Sequence, residues 1–200
     1  MRLCGVPESG LPPPGPIAFV ESVFFLDTPP NQLGLDRTVI FFNDSPRFRY
    51  ASPDDLVDLQ SGVICVPNHF AYEEPMADGC VRLTALANYE GWARLDPTQY
   101  RHAKPLWQQR LIDSARRFVP DFRQAVVASD FFTPVTVQRF TGRDCGAVYG
   151  CPVKRYDGRT DFENLFLCGT DQGLVGIVGA LLSGILIANR YVLNEPWCAE

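Results

Sequence analysis

Residues 173–188 form an almost uniformly apolar run, spaced by Gly173, Gly176 and Gly179 and entered directly from Gly169-Thr170-Asp171-Gln172. A bilayer span takes about 20 apolar residues, so a run of this length and glycine content reads better as a helix buried inside a protein, since helices apolar on every face are usually internal. The first backbone N–H groups of such a helix have no intrahelical partner and sit at the positive end of its dipole. Its entrance is therefore suited to an anionic or electron-rich group. Spacing alone does not single out that use, because glycines three apart in an apolar helix also serve close helix packing.

The rest of the chain can supply a core for that helix. With 46% hydrophobic and 12% aromatic positions among 200 residues, one large domain or two small ones can form. A formal net charge of −5 with scattered basic residues gives no attraction to phosphate backbones, so nucleic acid is not an expected partner. The seven cysteines include no C-x-x-C pair, and only His69 and His102 could join them as metal ligands. They read as reduced thiols in a cytoplasmic setting with no metal site. The N-terminus carries no apolar run of signal-peptide length.

Residues 1–16 are proline-rich and read as a lead-in. Segments 17–26 and 38–42 are strand candidates expected to lie side by side, and 62–66 and 81–88 are two more, separated by a turn-rich stretch at 73–79. Ser52-Pro53-Asp54-Asp55 is a possible cap for a short helix. Asp96-Pro97 opens the clearest amphipathic helix, with Ala103, Leu106, Trp107, Leu111, Ile112, Ala115 and Phe118 at three- and four-residue steps, Pro105 distorting its first turns and Pro120 closing it. Farther on, 125–128 and 135–140 are apolar or alternating, Asp157-Gly158 marks a turn, and 165–168 reads as a short strand ending at Gly169. The fold class expected is α+β, with a mixed sheet under helical cover in the first two thirds.

The stretch Asn164-Leu-Phe-Leu-Cys-Gly-Thr-Asp-Gln-Gly-Leu-Val-Gly-Ile-Val-Gly-Ala-Leu-Leu-Ser-Gly184 resembles the C-terminal flavin-contacting segment of the phytoene desaturase and retinol saturase-like branch of the flavin amine oxidase superfamily. Upstream, Thr133-Pro-Val-Thr-Val-Gln-Arg-Phe-Thr-Gly142, Gly146-Ala-Val-Tyr-Gly150 and Lys154-Arg-Tyr-Asp-Gly-Arg159 resemble the approach to that segment. The resemblance is specific over 131–191 and looser back to residue 17. It implies a substrate domain over 17–130 and, over 131–200, the C-terminal strand and helix of a Rossmann-type FAD domain, the parent fold being α/β. It also implies that Gly169, Thr170 and Asp171 lie at the flavin ribityl and that Gly176, Ile177 and Val178 present backbone N–H groups to the ring.

The activity implied is flavin-mediated hydride transfer on an apolar, carotenoid- or retinoid-like substrate. No catalytic base is assigned, since hydride transfer does not require one evident in sequence. The sequence departs from the family in one respect: no two of the sixteen glycines are spaced i, i+2, so the G-x-G-x-x-G pyrophosphate fingerprint is absent from these residues. A complementary N-terminal FAD-binding segment or subunit is therefore expected, and this chain alone is expected to be incomplete as an enzyme. The alternative is a truncated, non-catalytic homologue that binds a lipid or a partner chain. Peripheral association with a membrane, through 173–188, is a further alternative that the sequence does not itself indicate.

Several side chains have two readings. Tyr149 is a candidate to face the flavin or a substrate tunnel, or is a turn aromatic that caps the core. Arg139 and Arg143 can meet an anionic group or make surface ion pairs, and His69 can act as an acid or base or be a surface histidine. Trp92, Phe24, Phe25, Phe41 and Phe42 either line an apolar channel or fill the core.

Overall fold

The computed structural model describes residues 15–193, so most of the proline-rich lead-in, Cys4 and Cys198 lie outside the described residues. The described chain divides into two compact units, Pro16–Gly146 and residues 147–193 together with Gly15. The first unit therefore includes 131–146, which the sequence grouped with the C-terminal elements.

In the first unit, alternating residues with β-branched and aromatic side chains make a five-stranded sheet. The strands are β1 (Ala18–Leu26), β2 (Val39–Asn43), β3 (Ser61–Cys65), β4 (Gly79–Ala87) and β5 (Val126–Phe132), in the order β2-β3-β4-β1-β5. Every pair among them is antiparallel, so the α+β class holds while the sheet is not the mixed one expected. β1 and β2 share the sheet without being neighbours. β3 and β4 fit between them, and β4 pairs along the full length of β1, from Ala18 opposite Ala87 to Leu26 opposite Gly79, leaving β2 at the edge.

The period of two puts Val20, Phe24 and Leu26 of β1 and Val81, Leu83, Ala85 and Ala87 of β4 into the buried core. Helix α2 (Pro97–Ala115) supplies core residues through Trp107, Leu111, Ile112 and Ala115. Its start is set by a capping box. Asp96 Oδ1 accepts the N–H groups of Thr98 and Gln99 at 2.8 and 2.9 Å, and Gln99 Oε1 accepts the Asp96 N–H at 3.1 Å. The helix is continuous through Pro105, so the proline does not divide it. Ser22, fully buried on β1, donates to Asp130 O at 3.2 Å and accepts from Gln108 Nε2 at 2.7 Å, which ties α2 to two strands.

No helix forms at Ser52-Pro53-Asp54-Asp55. The polar groups a helix there would pair locally are drawn instead to the end of β4: Asn88 Nδ2 donates to Pro53 O at 2.9 Å, and Asn88 N–H to Leu56 O at 3.1 Å. The following Asn88 also caps the short helix α1 (Tyr89–Ala93) by accepting the Gly91 N–H at 2.9 Å. Residues 135–140 belong to helix α3 (Pro134–Thr141), opened by a Thr133/Thr136 capping box.

The second unit has less regular structure. Its one long element is helix α4 (Gly176–Ala188), continued by a π-helical turn over Asn189–Leu193. The expected strand at 165–168 is reduced to a single bridge between Arg159 and Phe166, because no adjacent strand among the described residues extends the ladder. Tyr191 holds the end of the helical stretch: its ring stacks on Phe166 with centroids 4.3 Å apart, and its hydroxyl donates to Asp157 O at 2.9 Å.

The burial expected for α4 is not found. Ser183 and Ile187 are its buried residues, whereas Val178, Leu181, Leu182, Ile185 and Leu186 are exposed and Ile177 is 91% exposed. The helical stretch 176–193 reaches 18 residues and, by length and composition alone, could cross a membrane, a test that core helices of soluble proteins also pass. The π-helical turn carries the stretch past residue 188, whereas the apolar run 173–188 by itself is too short to span.

Candidate functional site

The run of Gly169, Thr170, Asp171 and Gln172 is built as a tight turn rather than as the end of a strand. Thr170–Gln172 is one 3-10 turn, closed by the Gln172 N–H to Gly169 O and the Gly173 N–H to Thr170 O, both at 3.1 Å. Gly169 enters it at φ 89°, and Gly176 opens α4 at φ 77°. Side chains rarely adopt either conformation. A Cβ at Gly169 or at Gly176 would meet nothing within 4 Å among the described residues, so backbone shape rather than crowding calls for glycine at both positions.

Asp171 is half-buried and held from two sides. Its Oδ1 accepts the Cys151 N–H at 2.7 Å, and its backbone carbonyl accepts the Arg155 N–H at 2.9 Å. Gly150 lies so near that a Cβ there would overlap Asp171 Oδ1. Beneath the turn, Ser183 of α4 accepts the Gly169 N–H at 2.5 Å and donates to Gln172 Oε1, and Gln172 Nε2 donates to Tyr156 O at 3.0 Å.

The next element offers a different surface. Val175 precedes α4 without capping it through a side-chain hydrogen bond, and the leading amides of a helix have no partner inside it. Ile177 and Val178 extend into solvent beside those amides. The structure thus joins a carboxylate-bearing turn to an open helix N-terminus flanked by apolar side chains. A ligand with hydroxyl donors at one end and an electron-rich planar group at the other would match that arrangement.

Gly169, Thr170, Asp171, Gly176, Ile177 and Val178 all fall in the second unit, within this turn and the first residues of α4. Gly150, Cys151, Gln172 and Ser183 complete the turn and were not singled out in the sequence. A serine inside a uniformly apolar helix was the available signal. Tyr149, 41% exposed, precedes Gly150, and its backbone carbonyl accepts from Lys154 Nζ at 2.6 Å.

The other candidates lie in the first unit. His69 makes a 2.6 Å hydrogen bond from Nε2 to Leu35 O; as a carbonyl can only accept, the proton is on Nε2 and the ring ties a turn to its neighbour. Arg139 lies over the Phe140 ring, its guanidinium carbon 5.6 Å from the centroid. Trp92 is buried and donates from Nε1 to Leu56 O at 3.0 Å, and Phe24 packs edge-on to Phe122 at 5.4 Å. With Phe42 they are core residues, while Phe25 and Phe41 are exposed. The loop connecting β2 to β3 borders a groove of about 700 Å³, lined by the charged Arg47, Arg49, Asp54, Asp55 and Asp58 together with apolar residues such as Val57 and Leu59. Among the described residues no group of three or more His, Cys, Asp and Glu could hold a metal ion.

The fold and site define an α+β chain whose second unit presents a glycine-framed turn and an open helix N-terminus. No family model matches it. Over 130 residues it is 26% identical to an all-trans-retinol 13,14-reductase of Danio rerio, an alignment that covers 56% of this chain and 21% of that protein. The chain is thus a distant, partial relative of a retinol reductase and corresponds to about a fifth of its length.

Proposed function

We propose that this chain is the C-terminal portion of an FAD-dependent oxidoreductase acting on an apolar, retinoid- or carotenoid-like substrate. The observation that carries the proposal is the pairing of the Asp171 turn with the N-terminus of α4, framed by two glycines with nothing among the described residues in front of them, in a chain similar to a retinol reductase. Bound FAD would supply hydride transfer to or from a carbon–carbon bond of such a substrate.

The residues present fit the flavin end of that cofactor. Asp171 Oδ1 already accepts one backbone N–H, and the remaining lone pairs of the carboxylate suit ribityl hydroxyls. The Gly176, Ile177 and Val178 amides suit the electron-rich edge of the ring, with the Ile177 and Val178 side chains excluding water beside it. For the pyrophosphate there is no glycine fingerprint in these residues. A complementary N-terminal segment or subunit would supply it, and the exposed face of Leu181, Leu182, Ile185 and Leu186 suits an apolar partner surface.

That exposed face also favours the second reading, a non-catalytic chain that pairs with a partner or lipid. Flavin content separates the two. Intact mass and cofactor content of the native product that carries these residues form the test. FAD released on denaturation, from a chain or complex well above 22.3 kDa, supports the oxidoreductase. A native assembly without flavin, unable to take it up, sinks that reading and leaves the binding module.

A further inference from the structure

We propose that Ser183 and Gln172 are positioning residues that fix the Asp171 turn to helix α4. This rests on the flavin reading above and adds to it how the two halves of the site are kept in register. Ser183 is fully buried and lies two helical turns beyond Gly176, on the inner side of α4. Its hydroxyl accepts the Gly169 N–H and gives its own hydrogen to Gln172 Oε1, which leaves the Gln172 amide to donate to Tyr156 O at 3.0 Å. One relay therefore spans the residue before the turn, the last residue of the turn, the loop at 156 and the helix.

Asp171 lies inside the stretch that the relay clamps. Gly169 and Gln172 are held on either side of it, and its own outward contacts are to the Cys151 and Arg155 N–H groups. Neither of these touches Ser183. Loss of the Ser183 hydroxyl leaves a half-buried N–H and a buried amide oxygen without this partner, and the inexpensive relief is for the turn to move away from α4. Asp171 would move with it while the α4 amides stayed in place. The consequence is a change of spacing between two parts of one site, which a serine filling space in a helix would not produce.

Amide hydrogen exchange on the full chain, together with any segment the native product adds, tests this without relying on activity. Ser183→Ala is expected to speed exchange about tenfold or more at Gly169, Gln172 and the distant Cys151, and Ser183→Thr, which keeps the hydroxyl, to restore protection. Tyr191→Phe removes different bonds of the same unit, to Asp157 O and from Arg159 Nε, and is the control for general loosening. Unchanged exchange at Cys151 in Ser183→Ala, or the same pattern in Tyr191→Phe, overturns the proposal. Where Ser183→Ala does not fold, Gln172→Glu, which keeps an acceptor for Ser183 and removes the donor to Tyr156, is read in the same way at Cys151 and Arg155. FAD titration of the same variants should show about a tenfold weaker dissociation constant for Ser183→Ala, rescued by Ser183→Thr. A chain that binds no FAD in any form defeats the flavin reading, while the exchange result still decides whether Ser183 positions the turn.

Discussion

Gly150 and Asp171, twenty-one positions apart, are in such close contact that the glycine leaves room for nothing beyond its hydrogens against the carboxylate. The next residue, Cys151, donates its N–H to that carboxylate at 2.7 Å. A two-residue stretch thus fixes the orientation of the acidic side chain, one by absence of bulk and the other by a hydrogen bond. Asp171 is preorganised before any ligand arrives.

A pair of glycine substitutions separates crowding from backbone conformation. Gly176→Ala meets open space and carries only the strain of a left-handed residue, about 1 kcal/mol. Gly150→Ala adds an overlap with Asp171 and should cost more, with loss of protection at the Cys151 amide. Thermal unfolding and hydrogen exchange of the two variants give the comparison. Equal, small effects would mean that Asp171 is free to swing aside.

The periodic parts of this fold were legible because their signals are local. Runs of β-branched and aromatic residues bounded by turn residues located β1 to β4 within a residue or two, and Asp96-Pro97 marked the start of α2. The insertion of β3 and β4 between β2 and β1 was not legible, since strand order depends on pairings across tens of residues and sequential strands are the default neighbours. For α4, composition announced an apolar helix yet not what covers it. The candidate residues Gly169 to Asp171 and Gly176 to Val178 stood out by resemblance to a family segment, whereas Gly150, Cys151 and Ser183 contribute through contacts between residues distant in sequence.

The apolar stripe of α2 gives a prediction on stability. Leu106 and Leu111 share the sequence pattern, but Leu106 is 52% exposed and Leu111 is buried in the core. Leu111→Ala should destabilise the first unit by about 2–5 kcal/mol, against within about 0.5 kcal/mol for Leu106→Ala. Urea unfolding followed by the emission of buried Trp92 and Trp107 measures both. Similar losses for the two would place the core seam elsewhere on the helix.

On α4 the exposed face predicts opposite behaviour alone and in assembly. Leu181→Glu with Ile185→Glu removes two large apolar side chains from solvent contact and should make the chain by itself more monodisperse, with little change in unfolding temperature. Uptake of the complementary segment proposed above should fall at least tenfold in the same variant. Size-exclusion chromatography and a binding titration read the two effects. Unimpaired uptake would show that the partner surface lies off this face.

Acid should release one surface clamp. Arg123, hydrogen-bonded to Asp121 at 2.9 Å from Nε and 2.7 Å from Nη2, holds the Asp121 carboxyl below its ordinary range. A carboxyl lowered on folding stabilises the folded state above its unfolded value, near 3.8, and that contribution is lost as pH falls through the folded value below it. Because the group is exposed the contribution is small. Asp121→Asn should lower the unfolding temperature slightly at neutral pH, with the difference from the unchanged chain vanishing in strong acid; a difference that persists there would trace to something other than the carboxylate charge.

Thiol chemistry provides the last prediction. Burial pushes the thiols of Cys65, Cys80 and Cys145 up, since the thiolate is the form that loses solvation. Glu21 adds to this at Cys65 and Cys80, and Glu90 and Asp144 at Cys145, while Arg82 works in the opposite direction at the first two. The attacking species in alkylation is the thiolate, so reactivity depends on both its population and its access. Among the five described cysteines, exposed Cys168 should react first with iodoacetamide at mildly alkaline pH, the half-buried Cys65, Cys145 and Cys151 more slowly, and buried Cys80 last. Peptide mass mapping over time gives the order. Removing the cation with Arg82→Gln should slow Cys65 further, because the one interaction that favours its thiolate is gone; a faster Cys65 would instead mean that the arginine acts there as a lid over the sulfur.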